Sequence, residues 1–447
     1  MHNNLKNKIT FLLGAGASAP FVKYNSTALT TEYLTNSLLN PKNWKNILNK
    51  FEENKLENQL TKIDINDIIF IVNKINNILE KKEIKNFEYI IYLLDKISIY
   101  LSKEYNSIDN IDILLIDFFH QIDNELLQFA FRNSNIDGWK YAPFLAREVI
   151  IYSILDLWNN QDGQLKKDSN SLNQNFYKKI LDKFKSVNIY SLNYDPLIYE
   201  SLKENKFFST GFNNTIQFNS ADFNSADFFY ADSIIAFIHG HVGFYPINSN
   251  DRVKFSDEYY KQQTSRIYDI FNNNVRYNEL QGMKGKHYNT YLITGLDKID
   301  AFSLNPFSSY IHRFSKDVIE SDYIVLVGVS LSDYHLNSFL TNALFISGQN
   351  KYKKIIIVTK LSIVETESRL KIENNSDSNL IIKIISFFKD PITIPKNDGI
   401  EFKIETYYES ILLNLKKGHT KISDNIVLYI KGTEEFYNEE SLCSLFD

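Results

Sequence analysis

The fold is predicted from one stretch of sequence, Lys8-Ile-Thr-Phe-Leu-Leu-Gly14-Ala-Gly16-Ala-Ser18-Ala-Pro20. Its apolar run from Ile9 to Leu13 ends at two glycines spaced by one residue, which is typical of a buried parallel strand that opens into a tight turn. Glycine lets bare backbone approach a phosphate, and the helix expected to follow would offer N–H groups and the positive end of its dipole. The turn therefore predicts nucleotide binding.

The glycine spacing matches the dinucleotide-binding pattern only in part. Gly14-x-Gly16-x-x-Ala19 has the right form, but the acidic residue expected about 20 positions later, at the end of a second strand, is missing. Glu32 is near that distance but falls in a predicted helix over 27–39. No Gly-Lys-Ser/Thr follows, which excludes a Walker-type phosphate loop. Alone, the turn is also compatible with dehydrogenases, transferases and turns that bind nothing.

Composition limits the classes of partner. The 447 residues are 44% hydrophobic, enough for one large core or two ordinary ones. With 49 Lys and Arg against 54 Asp and Glu, the formal net charge is -5, so neither direct nucleic-acid binding nor attraction to an anionic membrane is expected. Cys443 is the single cysteine, which excludes a disulfide within the chain and a cysteine-based zinc site, and no metal is expected.

The first residues imitate a secretory signal, because Lys6 and Lys8 precede a short apolar run and Ala17-Ser18-Ala19. Pro20 opposes cleavage there, and the run is short. The segment is therefore predicted to be the first strand of a cytoplasmic domain. No apolar stretch approaches the ~18 residues that a membrane helix needs, so no membrane association is expected.

Residues 43–160 show helical periodicity and no convincing strand. The last two helices of this region are predicted over 111–131 and 143–158. Asn86 is predicted to cap the helix that begins at Phe87, and a role in that cap is the favoured interpretation of Glu88 in its first turn. Pro41 is expected to end the helix before this region, and a polar connection is expected over 159–170 after it.

The second half alternates between strands and helices. Strands are predicted over 187–192, 234–238, 322–327 and 354–359, with a helix over 172–184 and further elements at 362–372, 380–385 and 404–415. The expected fold class is α/β, a Rossmann-like parallel sheet with a large all-helical insertion. Residues 1–42 and 161–390 are assigned to the sheet domain and 43–160 to the insertion. Residues 391–447 are assigned to a C-terminal extension, either extra structure on the core or an assembly contact.

Polar clusters follow four of the predicted strands. They are Gly14 to Ser18, Asn193 to Asp195, His239 to His241 and Gly328 to Asp333. Ligands of open parallel sheets bind beyond the carboxyl ends of the strands, so the four clusters are expected to converge on one pocket. Singly each is ordinary, since Asn-Tyr-Asp-Pro is often a turn with a capping aspartate and a lone histidine is more often structural.

In order and spacing, these clusters resemble the motifs of sirtuin-like domains, and within them the bacterial branch found in anti-phage defence effectors. The residues that carry the resemblance are Gly14-Ala15-Gly16-Ala17-Ser18, Asn86-Phe87-Glu88, Ser191-Leu192-Asn193-Tyr194-Asp195, His239-Gly240 and Gly328-Val329-Ser330-Leu331-Ser332-Asp333. They span nearly all of residues 8–345. The resemblance implies an NAD-binding Rossmann-like domain.

The resemblance also implies roles for single residues. It implies that Asn193 and Asp195 meet the nicotinamide ribose and that His239 is catalytic, so these three are the expected catalytic residues. Residues expected to bind NAD are those of the first motif, which cradles the pyrophosphate, and those of the later loops, which include the adenosine side: Gly14, Ala15, Gly16, Ala17, Ser18, Gly240, Gly328, Val329, Ser330 and Asp333. Asp333 has a second interpretation as the cap of its helix.

Two departures from the family matter. Deacylating sirtuins carry a four-cysteine zinc module, which a chain with only Cys443 lacks. The loop after the glycines has Pro20-Phe21-Val22-Lys23 in place of the Pro-Asp-Phe-Arg run of deacylases. These departures favour cleavage of NAD itself over protein deacylation. His241 replaces the small residue that often follows His-Gly, which leaves open which histidine is active.

The expected function is an NAD hydrolase that releases nicotinamide and ADP-ribose, a regulated anti-phage effector that depletes cellular NAD. His239 suits the base, Asn193 can orient the ribose or water, and Asp195 can stabilise positive charge on the sugar. Expected partners are further copies of the chain, a hexameric DNA-translocating ATPase or a short Argonaute. Two alternatives stay open: a non-catalytic module that senses NAD or ADP-ribose and interacts through 43–160, and ADP-ribosyl transfer or cyclisation.

Overall fold

A computed structural model describes residues 6–53, 65–84, 86–101, 142–215, 220–246, 253–259, 263, 292–294, 305–346, 353–360, 363–366, 369–372, 419–423 and 426–438. The strands are β1 (Lys6–Leu13), β2 (Lys23–Tyr24), β3 (Thr27–Ala28), β4 (Phe184–Ser191), β5 (Phe208–Ser209), β6 (Phe212–Thr215), β7 (Ser220–Phe223), β8 (Ser233–Phe237), β9 (Phe244–Pro246), β10 (Val253–Phe255), β11 (Tyr323–Val327), β12 (Lys354–Val358), β13 (Ile363–Thr366), β14 (Arg369–Ile372), β15 (His419–Ser423) and β16 (Ile426–Tyr429). The helices are α1 (Ala15–Ser18), α2 (Thr31–Leu39), α3 (Pro41–Glu53), α4 (Ile65–Lys81), α5 (Phe87–Leu101), α6 (Ala142–Asn160), α7 (Gly163–Leu181), α8 (Leu197–Leu202), α9 (Ser225–Tyr230), α10 (Phe307–Glu320), α11 (Tyr334–Ile346) and α12 (Thr433–Asn438).

The central sheet has eight strands in the order β15-β16-β12-β11-β1-β4-β8-β5. All neighbours from β16 to β5 run parallel, and β15 pairs antiparallel with β16 at one edge. In register, Leu13 lies beside Ser191 of β4 and Val327 of β11, so these strands end at the same level. The prediction of an α/β, Rossmann-like parallel sheet is confirmed. Smaller antiparallel sheets are formed by β6-β7-β10-β9, β13-β14 and β2-β3.

Helices cover both faces of the sheet at β1 and β4. Phe11 packs edge to face on Tyr177 of α7, with 5.4 Å between ring centroids. Tyr190 points to the opposite face and packs on Phe314 of α10 at 4.9 Å. Because β1 is buried on both sides, its apolar residues form a continuous run instead of alternating, and this run is what made the strand predictable.

The described part of residues 43–160 is helical and packs around α6. Arg147 of α6 donates two hydrogen bonds to the Asp95 carboxylate of α5, and Asn46 of α3 donates to the Tyr152 hydroxyl of α6. The predicted helix over 143–158 is confirmed as α6. The predicted helix over 111–131 lies outside the described residues, so a single all-helical insertion stays a prediction.

Two helix boundaries differ from the prediction. The helix predicted over 27–39 is a short hairpin strand followed by α2, whose N-cap Thr30 accepts a hydrogen bond from the Tyr33 N–H. That helix ends at Leu39, but Pro41 is the first residue of α3 and so does not act as a stop. A proline is tolerated at a first helical position because the N–H it lacks has no partner there.

The polar connection predicted over 159–170 was wrong. Helix α7 begins at Gly163, and the Asp162 side chain caps it by accepting from the N–H groups of Gln164 and Leu165. The first half of α7 is polar because much of it faces solvent, so it lacks the apolar spacing that the prediction relied on.

The predicted strands over 187–192, 234–238, 322–327 and 354–359 are confirmed as β4, β8, β11 and β12. The segment 362–372 contains the hairpin of β13 and β14. The elements predicted over 380–385 and 404–415 lie outside the described residues. Within the expected C-terminal extension, β16 joins the central sheet beside β12. Across the described part of the chain, no helix has both the length and the hydropathy to cross a bilayer.

Candidate functional site

A cavity of about 310 Å³ lies beyond the carboxyl ends of β1, β4, β8 and β11. The loops after these strands form much of its wall, together with residues 29–31, 34, 86–89, 154 and 334–337. Its volume is at the lower end of the range for ligand pockets. The predicted site residues that line it are Gly14, Ala15, Ser18, Asn193, Asp195, His239, Gly328, Val329, Ser330 and Asp333, whereas Gly16, Ala17 and Gly240 do not line it.

The glycine turn packs against the loop after β11. The N–H of Gly14 donates to Val327 O at 2.9 Å, and that of Gly16 donates to Gly328 O at 3.2 Å. A Cβ atom on Gly14 would lie 2.4 Å from Gly328 O. The backbone of the loop after β11 therefore occupies the space beside these two glycines. Their first role is to let this loop and the loop after β1 come into contact.

Helix α1 after the turn is a single turn of four residues. Its dipole is therefore short, and the anion attraction that we expected from a following helix is weaker than for a full helix. From the turn and α1, Gly14, Ala15 and Ser18 line the cavity.

Asn193 joins the loop after β4 to the glycine turn. Its Nδ2 donates to Gly14 O at 2.8 Å and to Ser18 Oγ at 2.9 Å. Its Oδ1 receives no hydrogen bond from the described residues. The protein thus fixes the amide plane and leaves an acceptor at the cavity.

Asp195 is 2% exposed and has two different oxygens. Oδ1 accepts at 3.0 Å from the N–H of Leu197, the first residue of α8. Oδ2 is buried without a hydrogen-bond partner. Burial raises the pKa of Asp195 above its ordinary value; the Leu197 N–H and the nearby Ser18 hydroxyl, which makes no well-aligned bond to Oδ2, offset part of that shift.

His239 and Asp333 meet across the cavity. His239 Nε2 lies 2.9 Å from Asp333 Oδ2, and both side chains are largely buried. The other oxygen of Asp333 accepts from the N–H groups of His335 and Leu336 at the start of α11. A carboxylate held by a helix terminus fixes the orientation of the imidazole, an arrangement common to catalytic bases. The expected cap at Asp333 is confirmed, and its pairing with His239 is a feature that the sequence did not predict.

His241 lies outside the cavity in a cluster of aromatic rings. Its ring centroid is 4.4 Å from that of Phe237 and 5.2 Å from that of Phe255, and its Nδ1 accepts from the Gly243 N–H at 3.0 Å. Burial lowers the pKa of His241 to about 3. Gly240 between the two histidines has φ +96°, which suits glycine and separates the directions of their side chains. His239 is therefore the histidine of the cavity.

Glu88 and Tyr194 also belong to the site, and the sequence analysis did not assign them to it. The Tyr194 hydroxyl lies 3.1 Å from Glu88 Oε1 and 3.0 Å from Ile293 O. Burial raises the pKa of Tyr194 well above its ordinary value, and the Glu88 charge adds to the shift. The predicted cap by Asn86 is confirmed, since its Oδ1 accepts from the Glu88 N–H at 2.9 Å. Glu88 lies in the first turn of α5 and also lines the cavity.

The loop after β11 forms the rim. Ser330 Oγ and Ser332 Oγ are 2.6 Å apart and exposed. Between them Leu331 has φ +53°, uncommon for a residue with a side chain, and the Asn337 side chain holds its carbonyl at 2.8 Å. The rim therefore offers hydroxyl groups on a backbone that its neighbours constrain.

Comparison with protein-family models gives no match for this chain, and comparison with curated protein sequences gives none either. The site is therefore interpreted from its own geometry and from the resemblance of its motifs.

Proposed function

We propose that this cavity binds NAD and cleaves the bond between nicotinamide and ribose, releasing nicotinamide and ADP-ribose. The observation that carries the proposal is the contact of His239 Nε2 with Asp333 Oδ2 at 2.9 Å, in a cavity that Ser18 and Asn193 also line. The resemblance of these motifs to sirtuin-like domains supports NAD as the substrate. The chain is then an NAD glycohydrolase and not a zinc-dependent deacylase.

The reaction does not need a general acid from the protein. As the C1′–N bond breaks, its electron pair stays on nicotinamide, which leaves as a neutral molecule, and positive charge spreads over the ribose. Water then forms the new bond to C1′ and gives up a proton. A single base and groups that orient water and ribose are sufficient.

His239 is the proposed base. The Asp333 carboxylate accepts from Nε2–H at 2.9 Å, which holds the imidazole ring in one orientation for proton transfer. Asp333 is then a positioning residue, since it holds the ring and stabilises the imidazolium that forms. After turnover the proton passes to solvent.

Asn193 and Asp195 are proposed to act on the ribose. Asn193 Oδ1 is an acceptor for a ribose hydroxyl, because its Nδ2 is already held by Gly14 and Ser18. A buried carboxylate oxygen without a partner, as at Asp195 Oδ2, is stabilised by nearby positive charge, and such charge develops on the ribose in the transition state.

The biological role rests on the resemblance. We propose a cytoplasmic anti-phage effector that depletes NAD, built as a sheet domain with an all-helical insertion over 43–160. Such an enzyme must be silent until triggered, which favours regulation by assembly into an oligomer or by a partner protein. A hexameric DNA-translocating ATPase or a short Argonaute is the proposed partner class.

The test is to incubate the purified full chain with NAD, alone and with candidate activators, and to separate the products. The proposal expects nicotinamide and ADP-ribose in equal amounts. A cyclic product or a modified acceptor would indicate cyclisation or transfer through the same cation. No nicotinamide under any activating condition would overturn the proposal.

A second candidate is a module that binds NAD or ADP-ribose without turnover. It is favoured by the use of the Asn193 amide and Asp195 Oδ1 in holding the protein's own backbone. Retained binding without nicotinamide release, together with unchanged biological activity of Asn193→Ala, would support it over the hydrolase.

A further inference from the structure

The C-terminal helix α12 makes a direct contact with the glycine turn. Thr433, buried at the start of α12, donates from Oγ1 to Gly16 O at 2.9 Å, across 417 positions of sequence. The carbonyl of Gly16 and the N–H of Ala17 belong to one peptide unit. Its N–H is also held, because it donates to Gly14 O at 2.8 Å. A peptide unit is planar, so these two hydrogen bonds together fix its rotation.

The helix that carries Thr433 is itself held against the residues that follow the turn. Tyr437 stacks on Phe176 of α7, with 4.2 Å between centroids and 20° between planes. It also lies parallel to Phe21, at 5.9 Å and 10°. Its hydroxyl is 3.2 Å from that of Tyr177. Because Phe21 follows Ser18 by three residues, α12 contacts both α1 itself, at Gly16, and the chain just after it.

We propose that Thr433 is a positioning residue for the turn that presents Ala15 and Ser18 to the cavity. Thr433 does not line the cavity, so it acts on a ligand only through Gly16. Without this bond the Gly16–Ala17 peptide unit can rotate, and a ligand must then order the turn as it binds. The affinity for a ligand that contacts the turn therefore depends on a residue near the C-terminal end. This inference rests on the proposed function, because its probes are NAD and ADP-ribose.

The experiment measures binding of ADP-ribose, which the proposed reaction does not consume, to the full chain by calorimetry, with NAD as a second probe. Thr433→Val keeps the side-chain shape and removes the donor. It is expected to weaken ADP-ribose binding about three- to tenfold, the equivalent of one hydrogen bond. Thr433→Ser keeps the donor and is expected to bind within about twofold of the wild type.

Thr10→Val is the matched control. Thr10 Oγ1 also makes a buried hydroxyl contact, 2.7 Å to Ser321 Oγ, but Thr10 lies within β1, Ser321 precedes β11, and neither residue lines the cavity. Thr10→Val is expected to lower the free energy of unfolding about as much as Thr433→Val does, but to bind ADP-ribose with wild-type affinity. Equal affinity of Thr433→Val and wild type overturns the inference, and so does equal weakening by Thr10→Val. If the wild type binds neither ADP-ribose nor NAD, the proposed function fails, and the inference fails with it.

Discussion

Gly328 shows at the scale of one residue why the glycines are needed. Its φ is +60°, and a Cβ on it would lie 2.4 Å from Gly16 Cα. The prediction from sequence was that glycine leaves room for a phosphate. The structure adds a different requirement, since the loop after β1 and the loop after β11 meet backbone to backbone at Gly14, Gly16 and Gly328.

Gly328→Ala is therefore expected to lower the free energy of unfolding by about 2–4 kcal/mol, because it combines a left-handed backbone with a steric clash. Urea denaturation measures the loss. Gly163→Ala is the control, since a Cβ on Gly163 meets nothing within 4 Å at the start of α7. The control is expected to be neutral or to gain up to about 1 kcal/mol. Equal stability of the two variants would contradict the interlocked loops.

The buried imidazole of His241 is expected to make the free energy of unfolding depend on pH. Its pKa is about 3 in the folded chain against an ordinary value of 6.5. Below pH 6.5 the His241 imidazole is therefore protonated in the unfolded chain but stays neutral in the folded chain. Its contribution to the free energy of unfolding falls as the pH decreases toward 3. His241→Asn keeps an acceptor for the Gly243 N–H and removes the titration.

Unfolding of wild type and His241→Asn is measured at pH 8 and pH 5. The variant is expected to be less stable at pH 8 because it loses ring packing. Between pH 8 and pH 5 the wild type is expected to lose about 2 kcal/mol more than the variant, from the ionisation of this one group. Parallel loss in both proteins would show that His241 is not a buried neutral imidazole.

At the scale of elements, the contact between α5 and α6 decides how the helical region meets the site, because α5 carries Glu88. Arg147 of α6 reaches Asp95 of α5 with two bonds of 3.0 and 2.7 Å, and the two side chains are 12% and 18% exposed. Arg147→Met is expected to cost about 1–3 kcal/mol in the free energy of unfolding, since it leaves a largely buried carboxylate without its partner.

Lys316→Met provides the comparison for that variant. Lys316 Nζ lies 3.8 Å from Glu320 Oε1, with the side chains 58% and 44% exposed. Water screens such a pair, so the expected change is below about 0.5 kcal/mol. Chemical denaturation of both variants measures the difference. Similar losses would mean that the bond from Arg147 to Asp95 does not tie α5 to α6.

Elements with a local signal were predictable. The strands that end at the cavity are rich in buried apolar residues, and the cap at Asn86 follows from its position before Phe87. The start of α7 was missed because its first half is polar and its cap, Asp162, lies in what looks like a loop. The role of Glu88 was missed for a different reason, since its partner Tyr194 is 106 positions away.

The candidate site was also predictable only where the signal is local or follows from the sheet topology. The convergence of strand ends follows from the topology of parallel sheets, so most of the predicted residues do line one cavity. The hydrogen-bonded pairs inside the cavity depend on where each side chain points in the folded protein. The contact of His239 with Asp333 and the tie of Asn193 to Ser18 join different loops, and no periodicity in the sequence encodes them.

At the scale of the whole molecule, the C-terminal residues belong to the architecture of the site. Strand β16 extends the sheet beside β12, and α12 then returns to the glycine turn through Thr433. Joining the chain's end to its beginning is a long-range property that local propensity cannot reveal. β1 leads into the glycine turn that lines the cavity, and α12, the last helix of the described residues, contacts that turn from outside the cavity.

The central claim is that His239 in this cavity cleaves NAD. The most direct measurement compares nicotinamide release and NAD binding for the wild type and His239→Ala in parallel, with and without candidate activators. The account predicts that both proteins bind NAD with similar affinity and that the variant releases nicotinamide at least about 100-fold more slowly than the activated wild type. Equal binding by both proteins with no nicotinamide released by either under any activating condition would contradict it.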